Sequence, residues 1–189
     1  MRAMNVYDWD NTIYRGDSTF DFVRWCMKKY PGTLRTLPRT AVYGILYGTR
    51  IVRKQVFKEN MYRFLADLPD PEGAVDLFTS THMDHVKDWY LKQQREDDLV
   101  ISASPEFLIS AFCRKLGIKH VMASPVEIHS GKYLGKNCHG REKVIRYREV
   151  FGDTPIEAFY SDSRSDTPLA ELAQHAYLVK GDERKPWNK

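Results

Sequence analysis

Apolar and polar positions along this chain follow two rhythms, and the change between them organises everything else. Met4-Asn5-Val6-Tyr7, Leu99-Val100-Ile101-Ser102-Ala103, Lys119-His120-Val121-Met122-Ala123, Ile156 to Tyr160 and Ala176 to Val179 are short apolar runs that predict buried strands. Helix signals separate the later ones. Ser104-Pro105-Glu106 supplies an N-cap, a first-turn proline and an acid ahead of a helix through about Leu116, which Gly117 stops. A second helix is expected from about Arg141 to Val150, and Thr167-Pro168 starts a third. Val126-Glu127-Ile128 and Lys132-Tyr133-Leu134 alternate around Ser130-Gly131, which predicts a hairpin. Strands alternating with helices predict an α/β fold with a Rossmann-like, doubly wound, mainly parallel sheet covered on both faces.

Residues 17–94 break that rhythm. Thr19 to Lys29, Arg53 to Leu65 and Pro71 to Leu91 carry helical patterns with no clear strand among them. The expectation is a core domain of residues 1–16 and 95–189, with residues 17–94 inserted after the first strand as a helical cap. A length of 189 residues and an apolar content of 42% suit one such domain and a modest insertion. No stretch reaches the ~20 apolar residues that span a bilayer. Asp8, Asp10 and Asp17 lie where a signal peptide would need an apolar core, so a cytoplasmic location is expected. Cys26, Cys113 and Cys138 are odd in number and widely spaced, which argues against a disulfide framework or a zinc knuckle. His82 and His85 lack a convincing third ligand and read as surface histidines.

Candidate chemistry sits at the strand ends. The first strand runs into Asp8-Trp9-Asp10-Asn11-Thr12, placing two carboxylates where open α/β sheets bind ligands. The strand ending at Tyr160 runs into Ser161-Asp162-Ser163-Arg164-Ser165-Asp166. Ser102 ends another strand, and Gly140-Arg141-Glu142-Lys143 opens a helix. Each has a plain structural reading: a solvated turn, a strand end, an exposed lysine, a capping aspartate. Together, and in this order, they suggest a divalent cation and a phosphoryl group.

On these motifs the chain resembles the haloacid dehalogenase superfamily of phosphohydrolases, in its phosphoserine-phosphatase-like branch. The resemblance spans nearly the whole chain and is most specific at Asp8 to Thr12, Val100 to Pro105, and Asp162 to Asp166. Such proteins carry a helical cap just after the first motif. The resemblance implies Asp8 as nucleophile, Asp10 as general acid and base, and Lys143 as the group that neutralises charge on Asp8 and the phosphoryl. It implies Ser102, Lys143, Asn11 and Thr12 around the substrate phosphate, and Mg²⁺ held by Asp8, Asp162 and the Asp10 main-chain carbonyl. Asp166 would orient Lys143 or a metal-bound water. Two departures stand out: Asn11 replaces a common glycine but tolerates positive φ, and Ser161 replaces a glycine often found before the metal-binding aspartate.

The expected activity is magnesium-dependent hydrolysis of a small phosphomonoester through an aspartyl-phosphate. One alternative is a phosphoserine phosphatase, although Tyr14-Arg15-Gly16-Asp17 does not clearly match a cap that grips an amino acid. Another is a phosphatase of lipid-headgroup phosphates at an anionic membrane surface. From Phe22 to Lys58 there are nine basic residues and no Asp or Glu, enclosing the apolar stretch Thr40 to Tyr47. The plainer reading of that run is a solvated basic face. Nucleic acid is not expected, since no binding module accompanies the charge. A non-catalytic phosphoryl-binding regulatory protein would have lost a reacting group, and all are present.

Overall fold

A computed structural model describes residues 3–188. Its centre is β1 (Met4–Tyr7), four residues long and buried throughout. β1 pairs in parallel with β2 (Leu99–Pro105) on one side and with β4 (Ile156–Ser161) on the other. β3 (His120–Ser124) lies outside β2, and β5 (Ala173–Lys180) outside β4, both parallel. The final strand, β6 (Glu183–Pro186), pairs antiparallel with β5 and completes the order β3-β2-β1-β4-β5-β6. The chain winds outward from β1 to β3 and then returns to the opposite side of β1. This reversal opens a crevice at the carboxyl ends of β1 and β4, where open α/β sheets bind ligands.

Alternation along the strands builds two layers, because successive side chains point to opposite faces. Met4, Val6, Leu99 and Ile101 enter a core with Tyr147 and Phe151 of α7 (Arg141–Phe151). Tyr7 and Val100 enter the other core with Leu108 and Phe112 of α6 (Glu106–Leu116). The inserted region between β1 and β2 contributes α1 (Ser18–Lys29), α2 (Leu37–Gly48), α3 (Lys54–Tyr62), α4 (Pro71–Thr81) and one turn, α5 (Asp88–Leu91). α1 and α4 join the second core: Phe22 packs 5.2 Å from Phe78, and Phe78 lies 6.0 Å from Phe112. α2 does not, since none of its residues is buried.

Four local expectations are corrected. The run from Pro71 to Leu91 is not one helix. It breaks after Thr81 because the next segment pairs its backbone with the turn after β1, through Arg15 N to His85 O and Lys87 N to Ile13 O. The hairpin expected over Val126 to Leu134 is reduced to one bridge, Val126 to Tyr133. Its turn presses on the end of α3 instead: Gly131 has φ 71°, and a Cβ there would lie 2.5 Å from the Tyr62 carbonyl. β2 runs on through Ser104 and Pro105, so the helix starts at Glu106. β6 has no counterpart among the expected strands, because all four of its residues are exposed and carry no apolar alternation.

Candidate active site

The main chain fixes the acidic strand end before any side chain acts. Asp8 N donates to Tyr160 O at 2.8 Å, extending the β1–β4 ladder by one residue. β1 ends at Tyr7, and Trp9, in the turn that follows, is wholly buried against Phe112 at 5.2 Å. Asp8 and Asp10 flank it in the chain and both line one cavity. The chain turns at once: Asn11 has φ 56°, and its N–H donates to Gly16 O at 2.8 Å. Asparagine where glycine is common is thus compatible with the required backbone.

Three charges meet on the floor. Lys143 Nζ donates to Asp8 Oδ1 at 2.9 Å and to Asp166 Oδ2 at 2.7 Å. Gly140, with φ 59° and ψ −124°, sets the entry to α7 so that its first turn delivers Lys143 there. Burial alone would pull the Lys143 pKa down, but Asp8 and Asp166 overcome it and hold the ammonium charged. Burial pushes Asp8 up despite Lys143, and Asp166 adds to the rise. Ser161 Oγ donates to Asp166 Oδ2 at 2.8 Å and lies 3.5 Å from Asp8 Oδ2. The serine that stands in place of a glycine therefore braces the carboxylate that holds Lys143.

Asp10 occupies a ring of hydroxyls. Its Oδ1 accepts from Ser18 N at 2.7 Å and Ser18 Oγ at 2.6 Å, and its Oδ2 accepts from Ser104 Oγ. Thr19 Oγ1 donates to Ser104 Oγ at 2.8 Å, tying α1 to β2 through the same group. Burial and the Asp17 charge raise the Asp10 pKa to about 6, against these hydrogen bonds. A hydroxyl can accept as well as donate, so Ser104 can serve Asp10 in either protonation state.

A cavity of about 1000 Å³ opens above this floor, and Asp8, Asp10, Asn11, Ser102, Lys143, Asp162 and Asp166 all line it. Thr12 is not brought there. It is fully buried, and its Oγ1 accepts from Asp162 N at 3.0 Å, stitching the β1 turn to the β4 turn. Ser102 Oγ accepts from Ser104 N at 3.1 Å and keeps its own proton free to donate. Reasoning from sequence missed Ser18, Ser104, Lys58 and His139. Lys58 reaches down from α3 to donate to Ala103 O at 2.8 Å, and burial, then Lys54, lower its pKa to about 8. Burial also lowers the pKa of His139, which lines the cavity beside α7.

The floor suits a hard cation. Asp8 and Asp166 share one ammonium, Asp162 lines the same cavity, and Asp166 Oδ1 is buried without a hydrogen-bond partner. Burial and the neighbouring Asp166 raise the Asp162 pKa. Among the described residues no three His, Cys, Asp or Glu side chains form a ready-made metal cluster. A cation here would take two carboxylates, those of Asp8 and Asp162, together with the Asp10 carbonyl and water. That oxygen-only, water-rich set fits magnesium better than zinc.

Comparison with known proteins bears on family and fold. A family model described as haloacid dehalogenase-like hydrolase matches residues 6–171. Protein CicA of Caulobacter vibrioides is 28% identical over 191 residues, covering 89% of this chain and 82% of its own length. A probable phosphatase of Mycobacterium tuberculosis is 37% identical over 93 residues, 46% of this chain and 32% of that protein. A phosphoserine phosphatase structure, a phospho-aspartyl intermediate analogue, shares the fold with a TM-score of 0.56 at 12% identity, covering 97% of this chain and 95% of that one. Among the described residues no helix is long and apolar enough to cross a membrane.

Proposed function

The chain belongs to the haloacid dehalogenase-like hydrolases, as a phosphohydrolase of phosphoserine-phosphatase-like fold, and on that premise we propose that it cleaves phosphomonoesters, with magnesium, through an aspartyl-phosphate on Asp8. One observation carries the reading: Asp8 and Asp10 face one cavity from one strand end, Asp8 held by Lys143 and Asp10 by hydroxyls with its pKa raised to about 6. Two carboxylates in different environments divide the labour between nucleophile and proton carrier.

In the first step an Asp8 carboxylate oxygen bonds to phosphorus as the bond to the leaving oxygen breaks. Asp10 delivers its proton to that oxygen, releasing a neutral alcohol. In the second step water attacks the phosphorus, Asp10 takes the water's proton, and the Asp8–phosphorus bond breaks to release inorganic phosphate. Lys143 offsets the charge that Asp8 and the phosphoryl oxygens share, and Ser102 Oγ and Asn11 border the phosphate's place. Asp166, which touches Lys143 and Ser161, is a positioning residue. Magnesium, when bound, supplies Lewis-acid charge stabilisation that lets a carboxylate approach an anionic phosphate.

The test is a panel of phosphomonoesters assayed with magnesium, with calcium, and with chelator. Turnover should appear with magnesium, vanish in chelator, and be poorly restored by calcium, whose longer and more numerous bonds disturb an in-line geometry. Full activity in chelator, or restoration by zinc alone, would contradict the proposal.

A further inference from the structure

The roof of the cavity is built for something other than a small polar metabolite. Above the acidic floor its walls carry Val23, Met27, Leu34, Leu37, Phe57 and Met61, with Arg24, Lys28, Lys54 and Lys58 among them. Its volume of about 1000 Å³ stands at the upper end of the roughly 300–1,000 Å³ that encloses a drug-sized ligand. A phosphate and a short polar alcohol would leave most of this apolar wall in contact with water.

α2 forms one side of that roof and is unusual in its own right. It is apolar nearly all round, with Arg39 its only charge, yet none of its 12 residues is buried. A helix apolar on every side belongs inside a protein or in a lipid phase. Leu37, Thr40 and Tyr47 line the cavity, and Tyr47 stacks on Phe57 of α3 at 5.4 Å. On the opposite side Val42 and Ile45, one turn apart, are 54% and 68% exposed, and Ile51 just beyond is 70% exposed. The surrounding chain is basic: nine Lys and Arg lie between Phe22 and Lys58 without one acid. Among the described residues only Arg35 of these is ion-paired, with Asp67.

Arg24, Lys28, Lys54 and Lys58 line the cavity, whereas Arg50 and Arg53 flank the exposed Ile51 in the chain. Exposed apolar side chains beside basic ones match an anionic lipid surface, which accepts the former into its acyl boundary and attracts the latter. A second copy of the chain fits less well, since an isologous contact would set basic run against basic run. Building on the phosphatase reading, we propose that the substrate is a phosphomonoester whose alcohol carries an apolar chain, taken from an anionic bilayer on which the outer face of α2 docks. The phosphate would reach Asp8 while the chain lies along the apolar roof, so the same helix contacts bilayer outside and substrate inside.

The experiment has two arms on the full chain. Monoalkyl phosphates from butyl to decyl, below micelle formation, are compared by kcat/KM, with p-nitrophenyl phosphate as the small reference ester. Sedimentation with vesicles of phosphatidylcholine alone, or of phosphatidylcholine and phosphatidylserine in equal parts, reads docking without turnover. The expected result is a rise in kcat/KM of about fourfold per added methylene until the roof is filled, with binding to the anionic vesicles only. The combined Val42→Ser, Ile45→Ser and Ile51→Ser variant, which alters no cavity-lining residue, should lose vesicle binding and keep its p-nitrophenyl phosphate kinetics, which also certify its fold. A flat alkyl series, no vesicle binding, or unchanged binding by the variant each overturn this proposal while the phosphatase reading stands. Dimers that the triple substitution converts to monomers, with no vesicle binding, would assign α2 to self-association and overturn it as well. If no ester at all is turned over, the phosphatase reading fails first and takes this one with it.

Discussion

The floor and the roof of the cavity are made on opposite principles. On the floor, Lys143 and Asp166 are 1% exposed and Asp8 9%, and Lys143 bridges the two carboxylates. On the roof, no residue of α2 is fully buried, and among the described residues only Arg35 of the basic run is ion-paired. A buried ion triad holds its geometry because breaking it strands an uncompensated charge, at a cost of about 3–5 kcal/mol. An unburied helix has no such penalty and is free to meet different surroundings. The contrast teaches that chemistry and selection are separable here: rate should follow the floor, and recognition the roof.

The largest effect tests that separation from below. Asp8→Asn removes the nucleophile but keeps a side chain of similar volume whose amide oxygen can still accept from Lys143. Turnover of p-nitrophenyl phosphate should fall to background, while the thermal midpoint stays near wild type because Lys143 retains Asp166 at 2.7 Å. Near-wild-type activity in rigorously purified Asp8→Asn would place the chemistry elsewhere. Asp10→Asn comes next. It removes the proton carrier, and kcat should drop about 10²–10⁴-fold with a poor leaving group. The loss should shrink for p-nitrophenyl phosphate, whose leaving phenolate needs less protonation. An equal loss for both leaving groups would give Asp10 some other role.

The roof should respond in KM. Lys58 spans the two regions, extending from α3 to Ala103 O with its pKa lowered to about 8. A lysine with a lowered pKa is cationic below that value and neutral above it, so its attraction for the anionic ester is present below pH about 8 and lost as the pH rises further. KM should therefore climb through an apparent pKa near 8 while kcat does not share that limb. Lys58→Met should raise KM about tenfold at neutral pH and abolish the limb, and Lys58→Arg should keep KM low at high pH. The smallest effect is expected from neutralising Arg50, Arg53 and Lys54 together. These charges lie outside the core motifs and are screened over about 8 Å at physiological ionic strength. KM for a soluble ester should rise only a few-fold and converge on wild type as salt is added. A fall in kcat in either roof variant would break the division.

The two regions were also unequally legible in the sequence. The floor could be read because its spacing has geometric meaning. Asp8 and Asp10 meet because both stand at the carboxyl end of β1, and Lys143 arrives because Gly140 starts a helix three residues earlier. The hydroxyls were not legible. Ser18, Ser104 and Ser161 look like any serines near a cap or strand end, and only the fold brings them to Asp10 and Asp166. Thr12 shows the converse, a motif residue turned away to hold Asp162 N. On the roof, α2 was not read as a helix because Pro38, Gly44 and Gly48 stand in its span and are signals of turns and breaks. The break after Thr81 escaped notice because backbone pairing with residues 13–15 outweighs helical propensity, and nothing local announces it.

The most direct test of the account is to catch the intermediate. The protein is mixed with a rapidly cleaved phosphomonoester and magnesium, quenched in acid, reduced with borohydride, and digested for mass spectrometry. An acyl phosphate on a carboxylate reduces to the alcohol, so Asp8 should be recovered as homoserine only when substrate and magnesium were both present. Asp10, Asp162 and Asp166 should be recovered unchanged. Homoserine at any of those three positions, or steady turnover with Asp8 never modified, would contradict the central claim.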